Sequence, residues 1–208
     1  SLIKKVASTG KPLIISTGMA DLSELQESIN VAKVNGCKDL ILLKCTSTYP
    51  ASPKNSNLLT IPHMRELFKC EIGISDHTLG VGVSVAAVAM GATFIEKHFT
   101  ISRSDGGVDS DFSMEPMEMK QLVEDANRAW EAKGEIRYGA TNAEEKSLKF
   151  RRSLYIVKDI KKGEFFTNKN LRSIRPGLGL KVKYLDKVIG RKAKKDLKKG
   201  TPLLWDHF

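Results

Sequence analysis

Two histidines of this 208-residue chain have the type and spacing to do chemistry together. His77 lies in Ile74-Ser75-Asp76-His77-Thr78 and His98 in Glu96-Lys97-His98-Phe99-Thr100. Each follows a short apolar run, Glu71-Ile72-Gly73-Ile74 before the first and Ala92-Thr93-Phe94-Ile95 before the second. A helix-length segment of small apolar residues, Val81 to Met90, separates them. The pattern reads as strand, helix, strand, with a histidine at the carboxyl end of each strand. In a parallel α/β barrel those ends meet on one rim, where active sites form. Two imidazoles there could share one metal and leave its remaining positions open, as catalysis requires. A lone histidine at a strand end is more often a hydrogen-bonding residue than a ligand; the repetition in successive strands is what favours a site. No H-E-x-x-H spacing and no cysteine pattern adds to it.

The elements that would position the pair follow in order. A helix over Leu2–Ala7, within the stretch from Ser1 to Thr9, closes at Gly10, and Leu13–Ser16 follows as a strand. Asp21 and Glu24 form a capping box for a helix to about Val34. Asp39–Cys45 is a continuous apolar run suited to a strand buried on both faces. Thr60 and Pro62 open a short helix to Phe68. After the histidine strands, Ser113 is placed to cap a long helix with Glu115 and Pro116 in its first turn. Four strand–helix units in alternation predict an α/β fold.

Beyond them the texture changes. Residues 139–152 read as a connector between a first domain, 1–138, and a small, mostly β domain, 153–208. The latter contains an internal repeat, Asp159-Ile160-Lys161-Lys162-Gly163-Glu164 and Asp196-Leu197-Lys198-Lys199-Gly200-Thr201, two turns with glycine at a positive-φ position. Residues 141–208 carry 19 basic and 7 acidic side chains, a balance of +12, while residues 1–140 are slightly acidic. With no RNA-binding aromatic motif beside them, these lysines read as a solvated surface, so neither nucleic acid nor membrane is expected as a partner. No apolar run is long enough to span a bilayer. The three cysteines, Cys37, Cys45 and Cys70, are odd in number and widely spaced, which predicts reduced thiols and a cytoplasmic protein. Gly80-x-Gly82 and Gly177-x-Gly179 lack the rest of a dinucleotide fingerprint, and His63 and His207 read as surface residues.

These motifs resemble the sialic acid synthase family, which condenses phosphoenolpyruvate with an amino-sugar aldehyde. The matching runs are Ser16-Thr17-Gly18-Met19, Lys44-Cys45-Thr46-Ser47-Thr48-Tyr49-Pro50, the two histidine segments, Lys158–Glu164 and Arg175-Pro176-Gly177. The loop Arg103–Ser110 and the segment Thr201–Asp206 look most like the pseudaminic acid synthase branch. The resemblance implies the second half of a (β/α)8 TIM barrel followed by an antifreeze-like SAF domain of β-clip type. It implies that His77 and His98 hold a divalent metal, manganese with magnesium or cobalt as alternatives, and act on the sugar aldehyde. Phosphoenolpyruvate contacts fall on Ser16, Ser75 and, by position, Ser47, where the neuraminate branch has asparagine. Tyr49 and Asp109 match sugar-pocket positions. Arg175 matches an arginine that reaches the partner subunit's site in a domain-swapped homodimer. N-acetylneuraminate or legionaminate synthesis is the near alternative, and a non-catalytic carbohydrate- or ice-binding module is the alternative of another class.

Four strands where the family barrel has eight imply further expectations. The family's phosphoenolpyruvate-binding lysines and water-activating glutamate would lie upstream. An open half would leave the inward faces of Leu40–Leu43 and Ile72–Ile74 uncovered.

Overall fold

The computed structural model describes residues 2–208; Ser1, placed at the start of the predicted first helix, lies outside them. The chain forms two compact units, one reaching to Glu135 and one over Ile136–Phe208.

The first unit alternates helix and strand: α1 (Leu2–Ala7), β1 (Leu13–Ser16), α2 (Leu22–Val34), β2 (Leu40–Cys45), α3 (Thr60–Phe68), β3 (Glu71–Asp76), α4 (Gly82–Ala89), β4 (Ile95–Lys97) and α5 (Pro116–Lys133). The strands pair in chain order, all parallel, so β1 and β4 are the edges of a four-stranded sheet. Parallel neighbours need crossovers, and the intervening helices supply them. Their apolar residues pack on one face of the sheet, where Leu40, Leu42, Ile72 and Ile74 meet Ile29, Ile61 and Phe68. Asp21 caps α2 as expected, accepting from the backbone of Ser23 and Glu24 while Glu24 accepts from the Asp21 N–H.

Three expectations for this unit are corrected. The N-cap of α5 is Glu115, not Ser113, whose hydroxyl instead donates to the Asp109 carbonyl at 2.7 Å. The last strand spans Ile95–Lys97 rather than Ala92–Ile95, because Ala92 and Thr93 still close the preceding helix and begin the pairing. Most importantly, Leu40–Leu43 and Ile72–Ile74 are all buried. On the sheet face away from the helical core, Leu43, Gly73 and Phe94 lie side by side. A Cβ built on Gly73 would sit 2.6 Å from Leu43 Cδ2 and 2.7 Å from Phe94 Cβ. The two large side chains thus close over the space that the glycine leaves. Ile14 and Phe94, on the edges, are the large apolar residues of this face that stay exposed, beside the exposed polar Ser16 and Glu96.

The carboxyl ends of β3 and β4 are joined by a buried ion pair. Asp76 and Lys97 are register partners, and Lys97 Nζ lies 2.9 Å from Asp76 Oδ2 with both side chains almost wholly buried. Asp76 also accepts from the Ser84 hydroxyl at 2.6 Å and from the Thr78 N–H at 2.8 Å, and Lys97 donates to the Thr78 carbonyl at 2.6 Å. Burial pushes the Asp76 carboxyl upward, but the bonds from Ser84, Lys97 and Thr78 outweigh it and hold it below its ordinary value.

The second unit has one antiparallel pair, β5 (Ser153–Ile156) with β6 (Leu171–Ile174), and a short helix, α6 (Leu185–Val188). Isolated bridges, Ile160 with Leu197 and Phe165 with Lys192 among them, complete its β pairing. A 3-10 helix over Asn142–Phe150 precedes β5. The core holds Leu154, Ile156, Phe166, Leu171, Leu197 and Leu203. Gly163 and Gly200 take φ of 88° and 91°, as the repeated turns require. His207 is buried, not a surface residue: its Nδ1 faces the Leu204 N–H, and burial pushes its pKa down. Among the described residues no helix is long and apolar enough to cross a membrane.

Two outcomes follow from this packing. Gly73→Ala should lower stability by about 1–3 kcal/mol through overpacking. Gly82→Ala, where an added Cβ meets nothing within 4 Å, should leave stability unchanged or raise it slightly. Thermal unfolding of both variants checks this, and an equal effect would dismiss the crowding at Gly73. For the ion pair, a carboxyl depressed by folding stabilises above its unfolded value, about 3.9, and that contribution is lost as pH falls through the lower folded value. Urea midpoints measured from pH 6 downward should therefore fall less steeply in Asp76→Asn than in the wild type. Lys97→Met, which strands a buried carboxylate, should cost about 3–5 kcal/mol at neutral pH. Parallel acid limbs in wild type and Asp76→Asn would refute the assignment.

Candidate active site

The register that pairs Asp76 with Lys97 sends the next residues, His77 and His98, off the sheet together. Their ring centres are 5.3 Å apart and the planes meet at 75°. His77 is buried, while the His98 side chain is 30% exposed. His77 Nδ1 lies 3.0 Å from the Thr46 carbonyl. A carbonyl only accepts, so Nδ1 carries the hydrogen and Nε2 of the neutral ring is left with its lone pair, the arrangement of a metal-binding histidine. The chain on either side is pinned: the Ala51 N–H donates to the His77 carbonyl and the Met114 N–H to the His98 carbonyl.

Two loops complete the site. The first follows β2. Lys44, half-buried, donates to the Cys45 carbonyl and to Thr46 Oγ1 at 2.8 Å, and Thr46 Oγ1 donates in turn to the Asn55 carbonyl. Burial pushes the Lys44 ammonium's pKa down. This loop brings the Tyr49 ring to 4.3 Å from that of His77 and 5.8 Å from that of His98. The second loop follows β4 and is clamped by Arg103. Its guanidinium grips the Glu118 carboxylate through both nitrogens, at 2.6 and 3.1 Å, and donates to the Ser113 carbonyl, while its backbone N–H donates to Glu115. The clamp sets Asp109, in the left-handed region at φ 68°, with Oδ2 3.7 Å from His98 Nδ1. It also sets the Phe112 ring 5.0 Å from that of His98.

The structure thus brings His77, His98, Tyr49 and Asp109 together. Ser75 lies two residues before His77 on β3, buried, and its hydroxyl donates to Glu96 at 2.7 Å. Ser47 Oγ lies 3.5 Å from Cys45 Sγ and next to Gly18, so the loops after β1 and β2 touch. Ser16 ends β1, exposed, two strands from the histidine pair. Arg175 belongs to the second unit, exposed just after β6. Sequence reasoning missed Phe112, Glu96, Thr46 and the Asp76–Lys97 pair. The last had a signal, since opposite charges immediately precede the two histidines; Thr46 acts through its backbone and had none.

The donor set suits one shared ion. A ring-centre spacing of 5.3 Å allows an ion about 2.1 Å from one nitrogen of each imidazole. Among the described residues no cluster of three or more His, Cys, Asp or Glu side chains is disposed to hold a metal. The pair would therefore leave most of the coordination shell to water or substrate.

Residues 151–208 match the SAF domain and residues 1–138 match the NeuB family. The chain is 42% identical over 211 residues to a pseudaminic acid synthase of Campylobacter jejuni, covering 100% of this chain and 61% of that protein. It is 41% identical over 199 residues to an N,N'-diacetyllegionaminic acid synthase of the same organism, covering 94% and 60%. Among solved structures, an N-acetylneuraminic acid synthetase of Leptospira borgpetersenii aligns with a TM-score of 0.66 and 33% identity, covering 72% of this chain and 52% of that one. The chain spans about three fifths of the length of the curated relatives it matches. With the family match running through α1–α5 and both histidine strands, the chain belongs to the NeuB family.

Proposed function

We propose that this chain carries the metal- and sugar-binding portion of a synthase that condenses phosphoenolpyruvate with a diacetamido-trideoxy hexose to give pseudaminic acid and phosphate. The observation that carries the reading is the pair of facing imidazoles, one with its tautomer set, at consecutive strand ends. The relatives named for nonulosonic acid synthesis support it, the pseudaminic acid synthase by the length and identity of its match.

In this reading His77 and His98 hold a divalent ion, manganese with magnesium or cobalt as alternatives. When bound, such an ion supplies Lewis-acid polarisation of a carbonyl oxygen. The enol carbon of phosphoenolpyruvate forms a bond to the sugar aldehyde carbon, water adds at the carbon bearing phosphate, and phosphate leaves. Tyr49 and Asp109 orient the sugar through its hydroxyl and amide groups. Ser16 and Ser47 donate to the phosphate or carboxylate oxygens. Ser75 can join them only by turning its hydroxyl away from Glu96. The four βα units form the second half of a (β/α)8 barrel over residues 1–138, residues 139–152 link it to the SAF domain at 153–208, and the protein works as a cytoplasmic homodimer. In that dimer Arg175 completes the partner subunit's sugar site. Legionaminic or N-acetylneuraminic acid synthesis is the second reading, favoured by the nearly equal identity of the legionaminic relative; turnover with each aldehyde separates them.

In the full natural protein, His77→Ala and His98→Ala should each weaken manganese binding at least about tenfold and lower metal-dependent turnover by roughly 100-fold or more, with the far-ultraviolet spectrum unchanged. Wild-type metal affinity in both variants would remove the metal assignment. The swap has its own measurement. Arg175→Ala and His98→Ala subunits, inactive alone, should regain activity when mixed, because one site of the mixed dimer receives both intact residues. Proven subunit exchange without recovered activity would place Arg175 elsewhere.

A further inference from the structure

We propose that Phe112 determines sugar specificity in this site by presenting an apolar face to the deoxygenated, methyl-bearing side of the substrate. The inference rests on the functional reading above and adds a residue that neither the motifs nor that reading assigns. Tyr49, His77, His98 and Phe112 form a continuous aromatic wall: Phe112 is 5.0 Å from His98 and 6.1 Å from Tyr49, and Tyr49 is 4.3 Å from His77. In this reading a sugar whose oxygen approaches the paired imidazoles lies along these rings.

Phe112 is half-buried and held in place. Its loop is closed by the Arg103 clamp on Glu118 and Ser113, and by the bond from Ser113 Oγ to the Asp109 carbonyl. The same clamp sets Asp109 three residues earlier, so a single loop brings one acceptor and one hydrocarbon ring to His98. Asp109 can accept from a sugar hydroxyl. The phenyl ring offers no hydrogen bond, and a hydroxyl pressed against it would lose its hydration without replacement. A diacetamido-trideoxy hexose fits that division. Two of its three lost hydroxyls are replaced by acetamido groups ending in methyls, and the third leaves a carbon without oxygen. A hexosamine hydroxylated throughout has no comparable apolar patch.

The test compares kcat/KM for the trideoxy sugar and for the same sugar bearing a hydroxyl at the deoxy carbon. It uses the full natural protein as wild type, Phe112→Ala and Phe112→Leu. A methyl-sized difference in an apolar pocket changes selectivity by about 10–200-fold, and a half-buried ring belongs at the lower end. Phe112→Ala should lower kcat/KM about tenfold for the trideoxy sugar and less than about twofold for the hydroxylated one. Phe112→Leu should keep most of the preference, and manganese affinity should stay within about twofold in both variants. Equal losses on both sugars with weakened manganese binding would mean that Phe112 only supports His98, and the specificity role would fall. An unchanged ratio in both variants would overturn it as well. Failure of the wild type itself to turn over either sugar would fail the functional reading, and this assignment with it, a result visible without any variant.

Discussion

The candidate site depends on a buried salt bridge just before its two histidines. Asp76 and Lys97 end adjacent parallel strands, and each stands immediately before a histidine. Side chains alternate along a strand, so turning the ion pair to one face turns His77 and His98 to the other. The pair also fixes the backbone beyond β3, because Asp76 accepts from the Thr78 N–H while Lys97 donates to the Thr78 carbonyl. Two apolar residues of similar volume could pack the strand ends as tightly. They would leave the backbone N–H and carbonyl of Thr78 without these partners and His77 with a less determined exit from the sheet. Buried ion pairs are weak evidence for net stability because desolvation offsets the attraction. Here the contribution is geometric: the two imidazoles leave the sheet in one orientation.

What was legible in the sequence was whatever the backbone period alone decides. The apolar run of β2 predicted burial on both faces, and both faces are buried. The competing expectation of an uncovered inward face failed at Gly73. A glycine inside a strand often marks a close approach, and here Leu43 and Phe94 use the space it leaves. The histidine pair could be read because register is a property of neighbouring strands. Phe112 and Thr46 could not, because their positions depend on contacts distant in sequence, Arg103 with Glu118 for the one and Thr46 with Asn55 and His77 for the other. His207 was misread because it sits in the tail: its neighbours Leu203, Leu204, Trp205 and Phe208 are largely apolar, and the chain end folds into the core that includes Leu203 and Phe208, which buries it.

The second unit shows how a duplication can brace itself. Asp159 accepts from the Lys199 N–H and the Lys198 ammonium, and Asp196 accepts from the Lys162 N–H and the Lys161 ammonium. Each turn of the repeat therefore serves as the acceptor for the other, and the Ile160–Leu197 bridge lies between them. The ammonium contacts are exposed and add little on their own. The backbone contacts matter more, since each aspartate satisfies an N–H that a tight turn leaves free. The sequence repeat thus encodes a pairing as well as two similar turns. Carboxylates stand at two lysine-rich turns, while the compactness of this basic stretch rests on its apolar core.

The two histidines are supported differently, and the difference bears on function. His77 is buried, and its Nδ1 faces a backbone carbonyl, a fixed dipole that cannot take up a proton in the working pH range or swing away. The carbonyl is itself held, because Thr46 is tied to Lys44 on one side and Asn55 on the other. His98 is partly exposed and faces the Asp109 carboxylate at 3.7 Å, longer than a hydrogen bond. That carboxylate sits on a loop, in a left-handed backbone conformation, and is itself 40% exposed. One imidazole is therefore set before anything binds, while the other keeps a neighbour that can turn toward a ligand. An arrangement with both rings locked would hold an ion more rigidly but leave no acceptor free beside it. An arrangement with both loose would leave the direction of the lone pairs undetermined. Pairing a fixed ring with an adjustable one gives the strand ends a defined donor and leaves the Asp109 carboxylate free to turn.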